Sequence, residues 1–193
     1  MKLKSLFFIC LIFPFVLTSC NKSKDAPAAA SSPKAILKIN VDYEKQSGHG
    51  SNQWAVWIEN ANEELVKTIY VTAFTADGGY IPRPACMPIW VSKAEPSNLS
   101  GDVIDSFSGA TPTSGLQTYV WDLTDNEGNP VEKGTYVFIV EATLFGDSEA
   151  IFKAPITIGD KETSVTAEPL FTSEDDKNKE MIKSVSAEYL FID

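Results

Sequence analysis

From residue 35 onward the chain alternates. Ala35, Leu37, Ile39, Val41 and Tyr43 fall on one face and Ile36, Lys38, Asn40 and Asp42 on the other, which predicts a strand with one buried side. Residues 53–59, Gln-Trp-Ala-Val-Trp-Ile-Glu, are apolar on both faces and predict a central strand covered from both sides. A turn at 60–64 and a strand over 65–75 complete a hairpin with it. Alternation returns at 116–120 and 137–145, around a stretch dense in Asp, Asn, Gly and Pro (122–135), so this region reads as a long-looped β-hairpin. Residues 149–158 form the next strand, with Phe152, Ala154, Ile156 and Ile158 on one face. Gly159-Asp160-Lys161-Glu162 turns the chain. Two further strands are expected at 163–171 and 183–192, separated by a charged, solvated loop at 173–180.

Residues 76–114 break this rhythm. Gly78-Gly79 and prolines at 82, 84, 88, 96 and 112 are too many for a sheet interior. The segment is a long excursion, with one or two helical turns at 88–94 where Pro88 occupies the first helical position. A connection of this length inside a domain is usually functional or disordered, and Tyr80, Trp90 and Phe107 argue for order. The whole pattern, about eight strands with little helix and frequent turns, predicts an all-β, immunoglobulin-like antiparallel β-sandwich carrying one long Pro/Gly-rich excursion.

The N-terminus changes the picture of where this domain resides. Lys2 and Lys4 precede an apolar run from Ser5 to Val16, the layout of a signal peptide over residues 1–19, and that run is too short to span a bilayer. Leu17-Thr18-Ser19-Cys20 resembles the lipobox of bacterial lipoproteins, which implies cleavage before Cys20 and a diacylglycerol on its thiol. Asn21, where an Asp would signal inner-membrane retention, points to the outer membrane, the chain facing periplasm or exterior. Residues 20–34 are rich in Ala, Ser and Lys and form a flexible lipid tether; residues 35–193 form one domain.

Composition narrows the partners. The chain has 26 acidic and 16 basic residues, and loss of Lys2 and Lys4 with the leader makes it more negative still. Such a surface repels phosphate backbones, so nucleic acid is excluded as a partner and membrane contact is left to the lipid. Of the three cysteines only Cys86 remains unassigned, which rules out an intramolecular disulfide.

Two family resemblances follow from particular residues. Trp121-Asp122, then Asp125 to Val131 and Gly134-Thr135-Tyr136, resembles the hairpin of immunoglobulin-like domains in flagellar hook-capping proteins, a likeness of architecture only. A wider pattern is similar to domain-of-unknown-function family 2271, whose members are periplasmic by prediction. It comprises His49-Gly50 before Trp54 to Glu59, Lys67-Thr68 with Tyr70-Val71, Arg83-Pro84 with Pro88-Ile89-Trp90, and Ser108 to Thr111 before Trp121-Asp122. It spans about residues 35–158, and residues 160–193 lie outside it as an added C-terminal hairpin.

Asp105-x-x-Ser108-Gly109-Ala110-Thr111 matches the acceptor motif of flavin transferases, which attach flavin mononucleotide (FMN) through a phosphoester to the final threonine. The resemblance implies Thr111 as the attachment site and Asp105 as a recognition residue. Gly109 and Ala110 leave the hydroxyl uncrowded, and the Pro/Gly-rich surroundings let the segment enter another enzyme's cleft. Phe107, Tyr119 and Trp90 are candidate platforms for the flavin ring. The same residues equally suit a plain turn into a strand. His49 alone builds no metal site, the loop at Asp122, Thr124 and Asn126 lacks the glycine of an EF-hand, and no nucleophile-elbow motif occurs. The expectation is therefore a protein not catalytic by itself. It is either an electron carrier with covalent FMN, served by a flavin transferase and an envelope redox partner, or a cofactor-free binding or assembly module using the excursion or a sheet edge.

Overall fold

The structure, a computed structural model, describes residues 34–48, 51–144, 148–172 and 176–192. The expectations for the leader, Cys20, the tether before Lys34, His49, Gly50 and Phe145 lie outside the described residues.

Two sheets face each other. The smaller has β1 (Lys34–Tyr43) between β5 (Gly115–Trp121) and β10 (Ile182–Ile192), with β8 (Thr163–Thr166) beyond β10. The larger runs β4 (Ser108–Gly109), β3 (Leu65–Thr72), β2 (Gln53–Glu59), β6 (Gly134–Thr143), β7 (Glu149–Ile158), β9 (Glu168–Phe171). The β-sandwich expected from the alternation is present, with ten strands among the described residues instead of about eight. Its core interleaves the alternate residues of both inner faces: Leu37, Ile39, Val41 and Tyr43 of β1 and Val185 and Ala187 of β10 meet Trp54, Val56 and Ile58 of β2 and Phe138 and Val140 of β6.

β2 is buried along its whole length because the larger sheet carries a second layer on its outer side. Ala55 and Trp57 face outward into a separate cluster with Met87, Trp90, Ala94, Ile104 and Phe107. These come from the excursion, which is folded and not a loop. It holds a helical turn at Thr75–Gly79, α1 (Pro88–Ala94), a 3-10 turn at Pro96–Asn98 and α2 (Gly101–Phe107) before it ends in β4. α1 is the helix expected after Pro88. Its first residues are held from across the sheet, where the buried Glu141 carboxylate of β6 accepts the Ile89 and Trp90 N–H groups at 3.0 and 2.8 Å. Burial pushes that carboxyl up to about 7, against the opposing pull of these two hydrogen bonds.

Two expectations about strand pairing are corrected. The segments at 116–120 and 137–145 are not a hairpin: β5 pairs with β1 in the smaller sheet, β6 with β2 and β7 in the larger, and the turn-rich stretch between them crosses from one sheet to the other. Within that crossing only the bridge between Thr124 and Pro130 resembles a hairpin end. The Tyr136 hydroxyl donates to the Glu132 carbonyl four residues upstream at 2.8 Å, the device that pins such crossings in immunoglobulin-type sandwiches. The strand expected at 163–171 is two, because the chain changes sheet at the buried Ala167: β8 joins β10 and β9 joins β7. In the C-terminal segment β8 and β10 pair antiparallel, and β10 also pairs with β1 from Lys34↔Ile192 to Tyr43↔Ile182. The charged loop before it contains α3 (Asp176–Met181).

Candidate functional site

The seven residues that match the flavin-acceptor motif, Asp105 to Thr111, run from helix to strand. Asp105 and Ser106 are exposed on α2, and Phe107, the last residue of that helix, is driven into the outer layer, where its ring meets Trp90 edge-on at 5.9 Å. This anchor sets the point at which Ser108 and Gly109 lie down beside β3, in parallel register Val71↔Ser108 and Thr72↔Gly109. The segment expected as a free loop is thus an edge strand as far as Gly109. Ala110 is exposed and Thr111 half-buried, its hydroxyl donating one long hydrogen bond to the Asn52 carbonyl at 3.4 Å.

Tyr70 of β3 holds the strand from the inner side. Its hydroxyl donates to the Ala110 carbonyl at 2.9 Å and lies 3.4 Å from that of Gly109. Its ring occupies the space beside Gly109, where a Cβ would stand 2.6 Å from Tyr70 Cε2. Behind it the aromatics continue. Tyr119 of β5 is 4.8 Å from Tyr70 between ring centroids, Trp54 of β2 is 5.8 Å from it, and Tyr43 of β1 is 4.4 Å from Trp54. Trp54 Nε1 donates to the Tyr119 hydroxyl at 3.1 Å. Tyr70 and Tyr119 therefore close the gap between the two sheets directly under the motif.

Burial governs the chemistry of these phenols. It pushes Tyr70 and Tyr43 up to about 12 and Tyr119 up as well, so none ionises near neutral pH. For Tyr43 the neighbouring Tyr70 and Glu44 act in the same direction. The Tyr43 hydroxyl is buried without a hydrogen-bond partner among the described residues.

Of the three aromatics expected as platforms for a flavin ring, one stands beside Tyr70 and two lie in the outer layer. Trp90 is fully buried and Phe107 nearly so, both in the outer layer, whereas Tyr119 is half-buried beside Tyr70. Tyr70 was missed by sequence reasoning because its partner Gly109 lies 39 residues away. A cleft of about 340 Å³ lined by Leu65, Thr68, Leu99, Val103, Phe107 and Asn126, among others, flanks the helical end of the motif and does not include Thr111. Cys86 is buried against the Thr75 hydroxyl, Sγ to Oγ1 3.2 Å. Among the described residues no three His, Cys, Asp or Glu side chains gather as metal ligands would, and no helix is long and apolar enough to cross a membrane.

The chain belongs to the family described as predicted periplasmic protein (DUF2271), whose model matches residues 35–171. That span takes in the acceptor motif, Tyr70 and Tyr119, and ends with β9, before α3 and β10. No curated protein and no solved structure matches the chain, and the likeness to flagellar hook-capping domains gains no support.

Proposed function

We propose that this member of the periplasmic family is an envelope carrier of covalently bound FMN, with Thr111 as the acceptor hydroxyl and Asp105 as a residue read by a flavin transferase. The reading rests on one observation: the motif Asp105-x-x-Ser108-Gly109-Ala110-Thr111 ends on a partly buried hydroxyl held by a single long hydrogen bond at the edge of the sandwich. The residues fit the group. Ala110 is small and exposed, and the strand before it is fixed on β3 with Gly109 packed against the Tyr70 ring.

Attachment forms a bond from Thr111 Oγ1 to the flavin-side phosphorus of flavin adenine dinucleotide and breaks the bond between its two phosphates. AMP leaves, the hydroxyl proton passes to a base on the transferase, and nothing is oxidised. Once bound, FMN supplies one- and two-electron transfer to an envelope redox partner. The chain's own residues hold the acceptor segment and keep the neighbouring phenols neutral. A lipid on Cys20, following Leu17-Thr18-Ser19, would keep the domain at the membrane, the outer one by the Asn at position 21.

The test is co-production with a flavin transferase. The denatured protein is expected to retain flavin fluorescence and a mass increase of one FMN, and Thr111→Ala to lose both while folding normally, since changes at such sites usually cost within about 0.5 kcal/mol. Unmodified polypeptide alone, in cells that flavinylate another substrate, rejects the carrier. The remaining reading, a cofactor-free binding module, would use what the excursion leaves exposed, chiefly Ile81 and Val103.

A further inference from the structure

Position 109 takes glycine for lack of space and not for backbone conformation, because its φ lies outside the left-handed region where glycine is favoured. A Cβ there would meet Tyr70 Cε2 at 2.6 Å, with Cδ2 and Cζ at 3.5 and 3.6 Å. The ring cannot simply swing aside. Tyr119 and Trp54 pack against it, and its hydroxyl is tied to the Ala110 carbonyl. Tyr70 and Gly109 thus form one fitted pair: the ring needs the glycine, and the hydroxyl bond needs the close approach that the glycine permits.

Building on the flavin reading, we propose that Tyr70 is the positioning residue for flavin transfer. Its ring and hydroxyl set the path of residues 109–111 along β3, and so the place at which the Thr111 hydroxyl is offered to the transferase. The glycine of the acceptor motif is demanded from inside the carrier by this tyrosine. The competing explanation, that glycine is demanded by the wall of the transferase cleft, predicts a different response to paired substitution.

The experiment is a double-substitution cycle of Gly109→Ala and Tyr70→Ala in the full-length protein. Labelling is followed by intact mass with purified transferase and flavin adenine dinucleotide, at a temperature where circular dichroism shows each variant folded. A misplaced acceptor is expected to slow labelling about 10- to 100-fold in Gly109→Ala, and comparably in Tyr70→Ala. In the Tyr70→Ala background, adding Gly109→Ala should change the rate by less than about twofold, because the clash is gone. An equal penalty for Gly109→Ala in both backgrounds would assign the glycine to the transferase and overturn the inference, as would parent-like labelling of Tyr70→Ala. If Tyr70→Ala does not fold, Tyr70→Phe carries the test: it keeps the ring and removes the bond to Ala110, and is expected to lower the labelling rate severalfold at an unchanged melting temperature, whereas parent-like labelling counts against the positioning role. Absence of label on the parent sinks the flavin reading itself, while a labelled parent with indifferent variants sinks only the role of Tyr70.

Discussion

The rings of Trp121 and Tyr136 meet edge to face, centroids 5.2 Å apart and planes at 67°, although their strands belong to different sheets. Trp121 ends β5 and Tyr136 stands near the start of β6, so the contact joins the sheets where the chain crosses between them. Each polar atom is satisfied nearby: Trp121 Nε1 donates to the Thr124 carbonyl at 2.7 Å and the Tyr136 hydroxyl to that of Glu132. The aromatic pair thereby fixes both ends of the crossing.

Trp121 is fully buried, so Trp121→Ala is expected to cost about 3 to 5 kcal/mol, the range for large aromatic truncations in cores. Urea denaturation of residues 21–193 measures it. A loss below about 1 kcal/mol would mean that the crossing is held by its turn and not by this side chain.

The same region shows why a sandwich was legible in the sequence but its pairing was not. Alternation in β1 and β7 reports a local fact, which side of each strand is covered, and it reads correctly. The two-faced apolarity of β2 likewise reports its second cover. Partner choice is not local. The turn chemistry at Asp125, whose carboxylate accepts the Glu127 and Asn129 N–H groups, is the same whether the chain returns in one sheet or crosses to the other. The decision rests with β1 and β2, which lie far away in sequence and each take one flank.

The candidate site divides in the same way. Its seven residues are contiguous and readable, whereas the helix that carries Asp105 was not. Gly101, Val103 and Ile104 are modest helix formers, and α2 is held by burial of Ile104 and Phe107, a three-residue spacing that was the available signal. Tyr70 reads only as an aromatic in a strand until the fold brings it against Gly109.

Cys20 lies outside the described residues, and its role is tested in cells. Cys20→Ala is expected to move the protein from the membrane fraction to the soluble periplasmic one, with the domain still folded. If the substituted protein fractionates with the envelope as completely as the parent, something other than a lipid at Cys20 anchors it.

Glu141 gives the stability of the domain a pH dependence with a definite sign. Its carboxyl is raised to about 7 in the folded protein, chiefly by burial, from an ordinary value of 4.5 in the unfolded chain. Between these values the folded state holds a proton that the unfolded state lacks, so stability rises as pH falls from about 7 to about 4.5 and is lost again as pH rises through 7. The slope in that window is about 1.4 kcal/mol per pH unit. Glu149, also raised by burial, acts in the same direction, and Asp125, lowered by its hydrogen bonds to Asn129, acts in the opposite one at lower pH, so the parent alone would not isolate the effect. Glu141→Gln cannot titrate and keeps an acceptor for one of the two N–H groups of α1, the loss of the other being a cost independent of pH. The difference in unfolding free energy between parent and Glu141→Gln, measured by urea at pH 5, 6, 7 and 8, is expected to shift in favour of the parent towards acid and to level off above pH 7. A difference independent of pH would show that Glu141 stays ionised beneath α1, its two backbone hydrogen bonds outweighing the loss of water.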